Sequence, residues 1–102
     1  MNSHFSHFKN QTVTLADGER IFVRSGGAGP AVVLIHGFGD TGDMWGPLAQ
    51  DLANTHLVIV PDLRGMGHSS KAASGYDKKS QAVDIRACLL YTSDAADDSL
   101  RV

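Results

Sequence analysis

The sequence predicts an α/β protein in which an N-terminal antiparallel hairpin leads into parallel strands joined by helices. Three observations carry this. Two continuous apolar runs, "AVVLI" at 31–35 and "LVIVP" at 57–61, suit strands buried on both faces. A helical pattern lies between them, and parallel strands require such a crossover. Upstream, Asp17-Gly18 sits between two strand-like stretches and is a strong hairpin signal.

Each element follows from its local residues. "TVTL" at 12–15 alternates polar and apolar, as a half-buried strand does. "ADGE" turns the chain, and "RIFVR" at 20–24 returns it. "SGGAGP" at 25–30 is a loop, because its glycines and proline favour turns. "HGFGDTGDMWG" is a glycine-rich connection after the first buried run. In "MWGPLAQDLAN", Trp45, Leu48, Ala49 and Leu52 fall near one helical face, with Asp43 as the expected N-cap. "DLRGMGHSSKAASGY" reads as a long polar loop. From Lys78 onward, Ala82, Ile85 and Leu89 recur at helical spacing.

With 102 residues the chain holds one small domain at most. A hydrophobic fraction of 42% and a mean hydropathy of -0.12 fit a globular protein. Nine basic residues against eleven acidic ones give a net charge of -2, so electrostatics supply no reason to expect nucleic acid or an anionic membrane as partner. The apolar runs are far too short to span a bilayer. "MNSHFSHFKNQ" has no apolar core of the leader type, so a cytoplasmic location is expected. Cys88 stands alone and cannot form an internal disulfide.

Gly37, Gly39 and Gly42 spell G-x-G-x-x-G after a strand, and Asp62 lies twenty residues beyond Gly42. That is the pattern of a dinucleotide site with its ribose-binding acid. The helix there would have to start at the glycines, so that its first amides cradle the pyrophosphate. A helix starting near Gly39 would place Pro47 in its interior, at a cost of roughly 3 kcal/mol. A start near Met44 puts Pro47 in the first turn, so no dinucleotide or other cofactor is expected.

"GPAVVLIHGFGDTGDMW", "LVIVPDLRGMGHSS" and "GYDKKSQAVDI" together resemble the α/β-hydrolase superfamily, over residues 12–87. The D-L-R-G-x-G-x-S form followed by G-Y-D looks most like the epoxide-hydrolase and haloalkane/haloacetate-dehalogenase branch. That branch often has His-Gly-x-Pro. Here Gly39 replaces the proline, which favours an esterase or a carbon–carbon bond hydrolase. The resemblance implies a truncated α/β-hydrolase fold lacking the nucleophile-bearing strand. It also implies a strand order with 57–60 between the returning hairpin strand and 31–35. The Phe38 N–H is implied as an oxyanion donor, with His36, Gly37 and Gly39 shaping its turn. The implied parent is a hydrolase of small-molecule epoxides, esters or carbon–halogen bonds, acting through a covalent intermediate. The chain itself is expected to be inactive. A non-catalytic binding domain on the same fold is the competing reading, and an NAD-binding Rossmann fragment the lesser alternative.

Ser69 is the tempting nucleophile, but Gly67-His68-Ser69-Ser70-Lys71 lacks the final glycine of a nucleophile elbow. The preceding strand ends near Pro61, so nothing holds Ser69 at a strand tip. Ser69 is therefore expected to be a turn serine bonded to local amides. His36 is expected to be structural. His4 and His7 in an extended segment would face opposite ways, so no metal site is expected. Asp62 and Arg64 should fix the loop by an ion pair and backbone hydrogen bonds, and Trp45 belongs in the core. The chain divides at 87/88. Residues 1–87 are hydrolase-like. Residues 88–102 read as a non-native tail, because 88–98, "CLLYTSDAADD", resembles the translation of a transposon mosaic end with its attached adapter bases.

Overall fold

The computed structural model describes residues 3–37, 40–71 and 74–92. A 3-10 turn, Ser3–Phe5, precedes the hairpin strands β1 (Lys9–Thr14) and β2 (Arg20–Gly26). Next come β3 (Ala31–Val33), a second 3-10 turn (Gly42–Trp45), helix α1 (Gly46–Leu52), β4 (Leu57–Pro61) and helix α2 (Lys78–Thr92). The four strands form one sheet in the order β1-β2-β4-β3, with β4 inserted between β2 and β3 as expected.

β1 and β2 pair antiparallel, from Lys9 opposite Ser25 to Thr14 opposite Arg20. The turn closes through Gly18 N–H to Leu15 O and Leu15 N–H to Glu19 O. β1 begins earlier than its apolar alternation suggested, because pairing to β2 recruits the polar Lys9, Asn10 and Gln11. β4 runs antiparallel to β2 and parallel to β3, with Val32 opposite Val58. β3 is shorter than its apolar run. One further ladder bond joins Leu34 N–H to Ile59 O, and the chain then leaves the sheet.

Both faces of the sheet are covered. On one, Val13, Ile21, Val23, Val33 and Ile59 pack against Cys88 and Leu89 of α2. On the other, Val58, Val60 and Leu34 pack with Phe5 and Ala49 of α1. The unbroken apolar runs of β3 and β4 thus serve two cores at once.

α1 starts after the glycines, with Pro47 in its first turn. Its capping differs from expectation. Thr41, not Asp43, caps the 3-10 turn by accepting the Asp43 N–H at 3.2 Å, while Asp43 pairs with the buried Arg24 at 2.6 Å. Trp45 and Leu52 are partly buried, but Leu48 is 43% exposed. Trp45, Ala49 and Leu52 carry the inward face, and Leu48 stands at its edge.

The inner face of α2 differs in part: Ile85 and Leu89 are inward as expected, but Ala82 is not. Ala82 is exposed, and Asp84, Ile85, Cys88 and Leu89 point inward. The helix runs through the 87/88 division without a break to Thr92. Most of the expected tail, residues 93–102, lies outside the described residues.

Candidate functional site: the turn between β3 and α1

His36 is the first residue that the site can be built on. Its ring is 3% exposed. Nε2 accepts the Leu63 N–H at 2.8 Å, and this fixes the ring proton on Nδ1, which donates to Gly37 O at 2.7 Å. His36 thus ties the end of the β3 segment to the chain leaving β4. Gly37 O also accepts the Asp40 N–H at 3.1 Å, closing a tight turn. Phe38 and Gly39, the expected oxyanion amide and its neighbour, lie outside the described residues. Gly37 is not in the left-handed region, and a Cβ there would meet only Asp40 Oδ2 at 3.4 Å. Its role in the turn is therefore not one of positive φ.

Asp62 closes the far end of this connection. It is fully buried. Oδ1 accepts the Gly42 N–H at 2.7 Å, and Oδ2 accepts the His68 N–H at 3.0 Å. The His68 ring, mostly exposed, approaches Oδ2 at 3.3 Å. Asp62 is thus consumed inside the loop and offers nothing to a ribose. The helix α1 starts at Gly46, beyond Gly37 and Gly42.

Arg64 does make an ion pair, but not with Asp62. Its guanidinium pairs two-pronged with Asp84 of α2 (Nε–Oδ2 and Nη2–Oδ1, both 3.0 Å). Nη1 reaches Asp17 at 2.9 Å and Ser74 O at 3.1 Å. The Asp84 carboxylate raises the Arg64 pKa further. The sequence missed Asp84 because its helical phase only becomes clear once α2 is docked.

Ser69 is a buried turn residue. Its hydroxyl accepts the Phe22 N–H of β2 at 2.9 Å and donates to Asp62 O. Ser70 similarly accepts the Arg20 N–H and donates to Glu19. Both serines lie in the loop after β4, several residues beyond the strand end at Pro61.

His4 and His7 depart from the expected geometry. His4 lies in the 3-10 turn Ser3–Phe5 and His7 in the turn that follows it, so the segment is not extended. Both histidines line one cavity of about 450 Å³ beside Gln50 and Asn54. His4 Nδ1 is 2.8 Å from Gln50 Oε1. Among the described residues no group of three metal-ligating side chains converges. No helix among them is long and apolar enough to cross a membrane.

Comparison with known proteins shows the class to which a chain with this fold and turn belongs. Residues 30–96 match the family described as alpha/beta hydrolase fold, and the chain belongs to that family. It is 34% identical over 86 residues to the soluble epoxide hydrolase of Corynebacterium sp. (strain C12), covering 84% of this chain and 29% of that protein. It is 41% identical over 73 residues to the fluoroacetate dehalogenase of Burkholderia sp., covering 72% and 24%. An epoxide hydrolase solved without ligand superposes with a TM-score of 0.78 at 32% identity, over 82% of this chain and 29% of that one. The chain spans under a third of the length of each of these relatives.

Proposed function

We propose that this chain is part of a hydrolase acting through a covalent intermediate on an epoxide, an ester or a carbon–halogen bond of a small molecule. In the ester case, a nucleophile adds to the carbonyl carbon and the π electrons move to oxygen. The Phe38 N–H donates to that oxyanion, and His36 and Gly37 shape the turn that presents it. Nucleophile, acid and base come from the parent protein beyond the residues described. The observation that carries this reading is the turn gripped at His36 by Leu63 and at Gly42 by Asp62. The proposal includes no cofactor, no nucleic acid or membrane partner, and a cytoplasmic location.

The test uses the full-length reading frame from the source DNA. The enzyme is expected to turn over p-nitrophenyl acetate, styrene oxide or fluoroacetate. Phe38→Pro, which removes the N–H, should lower kcat about 100-fold or more. No turnover of any of the three, or an unchanged kcat in Phe38→Pro, overturns the reading. The 102-residue chain is expected to turn over none of them. The same DNA tests the proposal that residues 88–102 are translated adapter: its reading frame should diverge after codon 87. The packing of Cys88 and Leu89 does not oppose this, because a small and a large apolar residue at that helical phase would fill the same space whatever their origin.

A further inference from the structure

We infer that Asp62 is a positioning residue for the oxyanion turn, an inference that rests on the function proposed above. Within the connection from β3 to α1, residues 36–42 are held at both ends by one dipeptide, and Asp43 just beyond pairs with Arg24 of β2. Leu63 N–H grips His36 where the connection begins, at 2.8 Å. Asp62 Oδ1 grips the Gly42 N–H where it ends, at 2.7 Å. In the sequence, Phe38 lies between these two grips. The exit of β4 therefore sets the placement of the turn relative to the sheet.

The surroundings of Asp62 are shaped to its carboxylate. A Cβ at Gly42 would stand 2.9 Å from Oδ1 and 2.8 Å from Val60 Cγ1. A Cβ at Gly67, which has φ +53°, would come within 2.3 Å of Oδ2. Only glycine lets both backbones approach. The two oxygens accept two backbone N–H groups from different segments. An asparagine of the same shape has one acceptor oxygen, and its NH2 would face the second N–H with no acceptor between them. A buried charge is costly, and a site that only needed filling would not hold one. Two acceptors in fixed geometry are what a carboxylate adds.

Hydrogen exchange of the chain at 10 °C, read by mass spectrometry, tests this in wild type, Asp62→Asn and Ser69→Ala. Ser69→Ala removes a buried hydroxyl of the same loop and leaves both grips in place. In Asp62→Asn, exchange over residues 36–43 is expected to rise at least about tenfold relative to β4. In Ser69→Ala the two segments should change together. In the full-length enzyme, Asp62→Asn should lower kcat about tenfold or more with KM held within about twofold. Exchange over 36–43 that merely follows β4 in Asp62→Asn overturns the inference, because Asp62 would then act only on global stability. If Asp62→Asn does not fold, Gly42→Ala carries the test by driving a Cβ against Oδ1, with the same local signature expected and a uniform change overturning it. A local rise in exchange without loss of kcat would overturn the oxyanion reading and leave the mechanical role of Asp62 standing.

Discussion

Ser69 shows how a single residue can carry a misleading motif. Gly-His-Ser suggests a nucleophile, yet the hydroxyl is occupied between β2 and the end of β4. Ser69→Ala would leave a buried N–H and a buried carbonyl short of a partner, so a loss of about 1–3 kcal/mol is expected in urea unfolding. A loss below about 0.5 kcal/mol, the range of neutral surface changes, would show that the hydroxyl is not structural. Cys88 makes a second residue-scale case. Burial, aided by the charge of Asp84, pushes its thiol up to about 12. The folded state thus favours the neutral thiol. Its contribution is complete below the ordinary value of 9.0 and is lost as pH rises toward about 12. At pH 8 the folded chain should react with a disulfide reagent far more slowly than the urea-unfolded chain. Equal rates would place the thiol outside the core.

At the scale of elements, an ion pair and a cap support α2 beside the core packing of Cys88 and Leu89. Arg64 connects the loop after β4 to Asp84 on α2 and to Asp17 in the hairpin turn. Both members of the Arg64–Asp84 pair are buried, so Arg64→Ala leaves an uncompensated carboxylate and should cost roughly 3–5 kcal/mol, read as early loss of helical circular dichroism on heating. At the start of α2, Asp77 accepts the Ser80 N–H at 3.0 Å and the Ser80 hydroxyl at 2.8 Å. These bonds hold its carboxyl below the ordinary value of 3.8, and the Glu19 N–H, with Arg64, does the same for Asp17. A lowered folded value means the contribution is present above 3.8 and lost as pH falls below it. An acid titration should therefore release α2, and Asp77→Ala should make that transition shallower. An unchanged acid transition would remove Asp77 from the account. The start of α2 at Lys78 and the inward Ile85 and Leu89 were legible in the sequence, but the inward Asp84 was not. Periodicity pointed to Ala82, whereas the docked helix turns Asp84 inward to meet Arg64. Patterns of apolar spacing cannot register a buried ion pair whose partner lies twenty residues away.

For the whole molecule, the two apolar runs and the hairpin signal were enough to read β2, β4 and the crossover between β3 and β4. The insertion of β4 beside β2 came from the family resemblance, since no residue pattern encodes strand order. The site was legible as far as His36 and its turn. The double grip from residues 62–63 was not, because it joins segments that only folding brings together. The sheet ends at β3, whose Ala31–Val33 backbone pairs with β4 on one side and, among the described residues, with no strand on the other. Beside it an open groove of about 330 Å³ runs between Ile35 and α2, floored by Ile85 and Leu89. Burying apolar surface yields roughly 25 cal/mol per Å², and this edge leaves part of that gain unrealised. Ordering each residue still costs roughly 1–2 kcal/mol. An unpaired strand flanked by apolar surface also templates pairing with other chains. The chain is therefore expected to unfold below about 50 °C, toward the low end for intact domains, and to elute larger than a monomer as concentration rises. Thermal circular dichroism combined with size-exclusion chromatography measures both. A concentration-independent monomer with a cooperative transition above about 50 °C would mean that β3 needs no further strand, and that these four strands and two helices are stable without one.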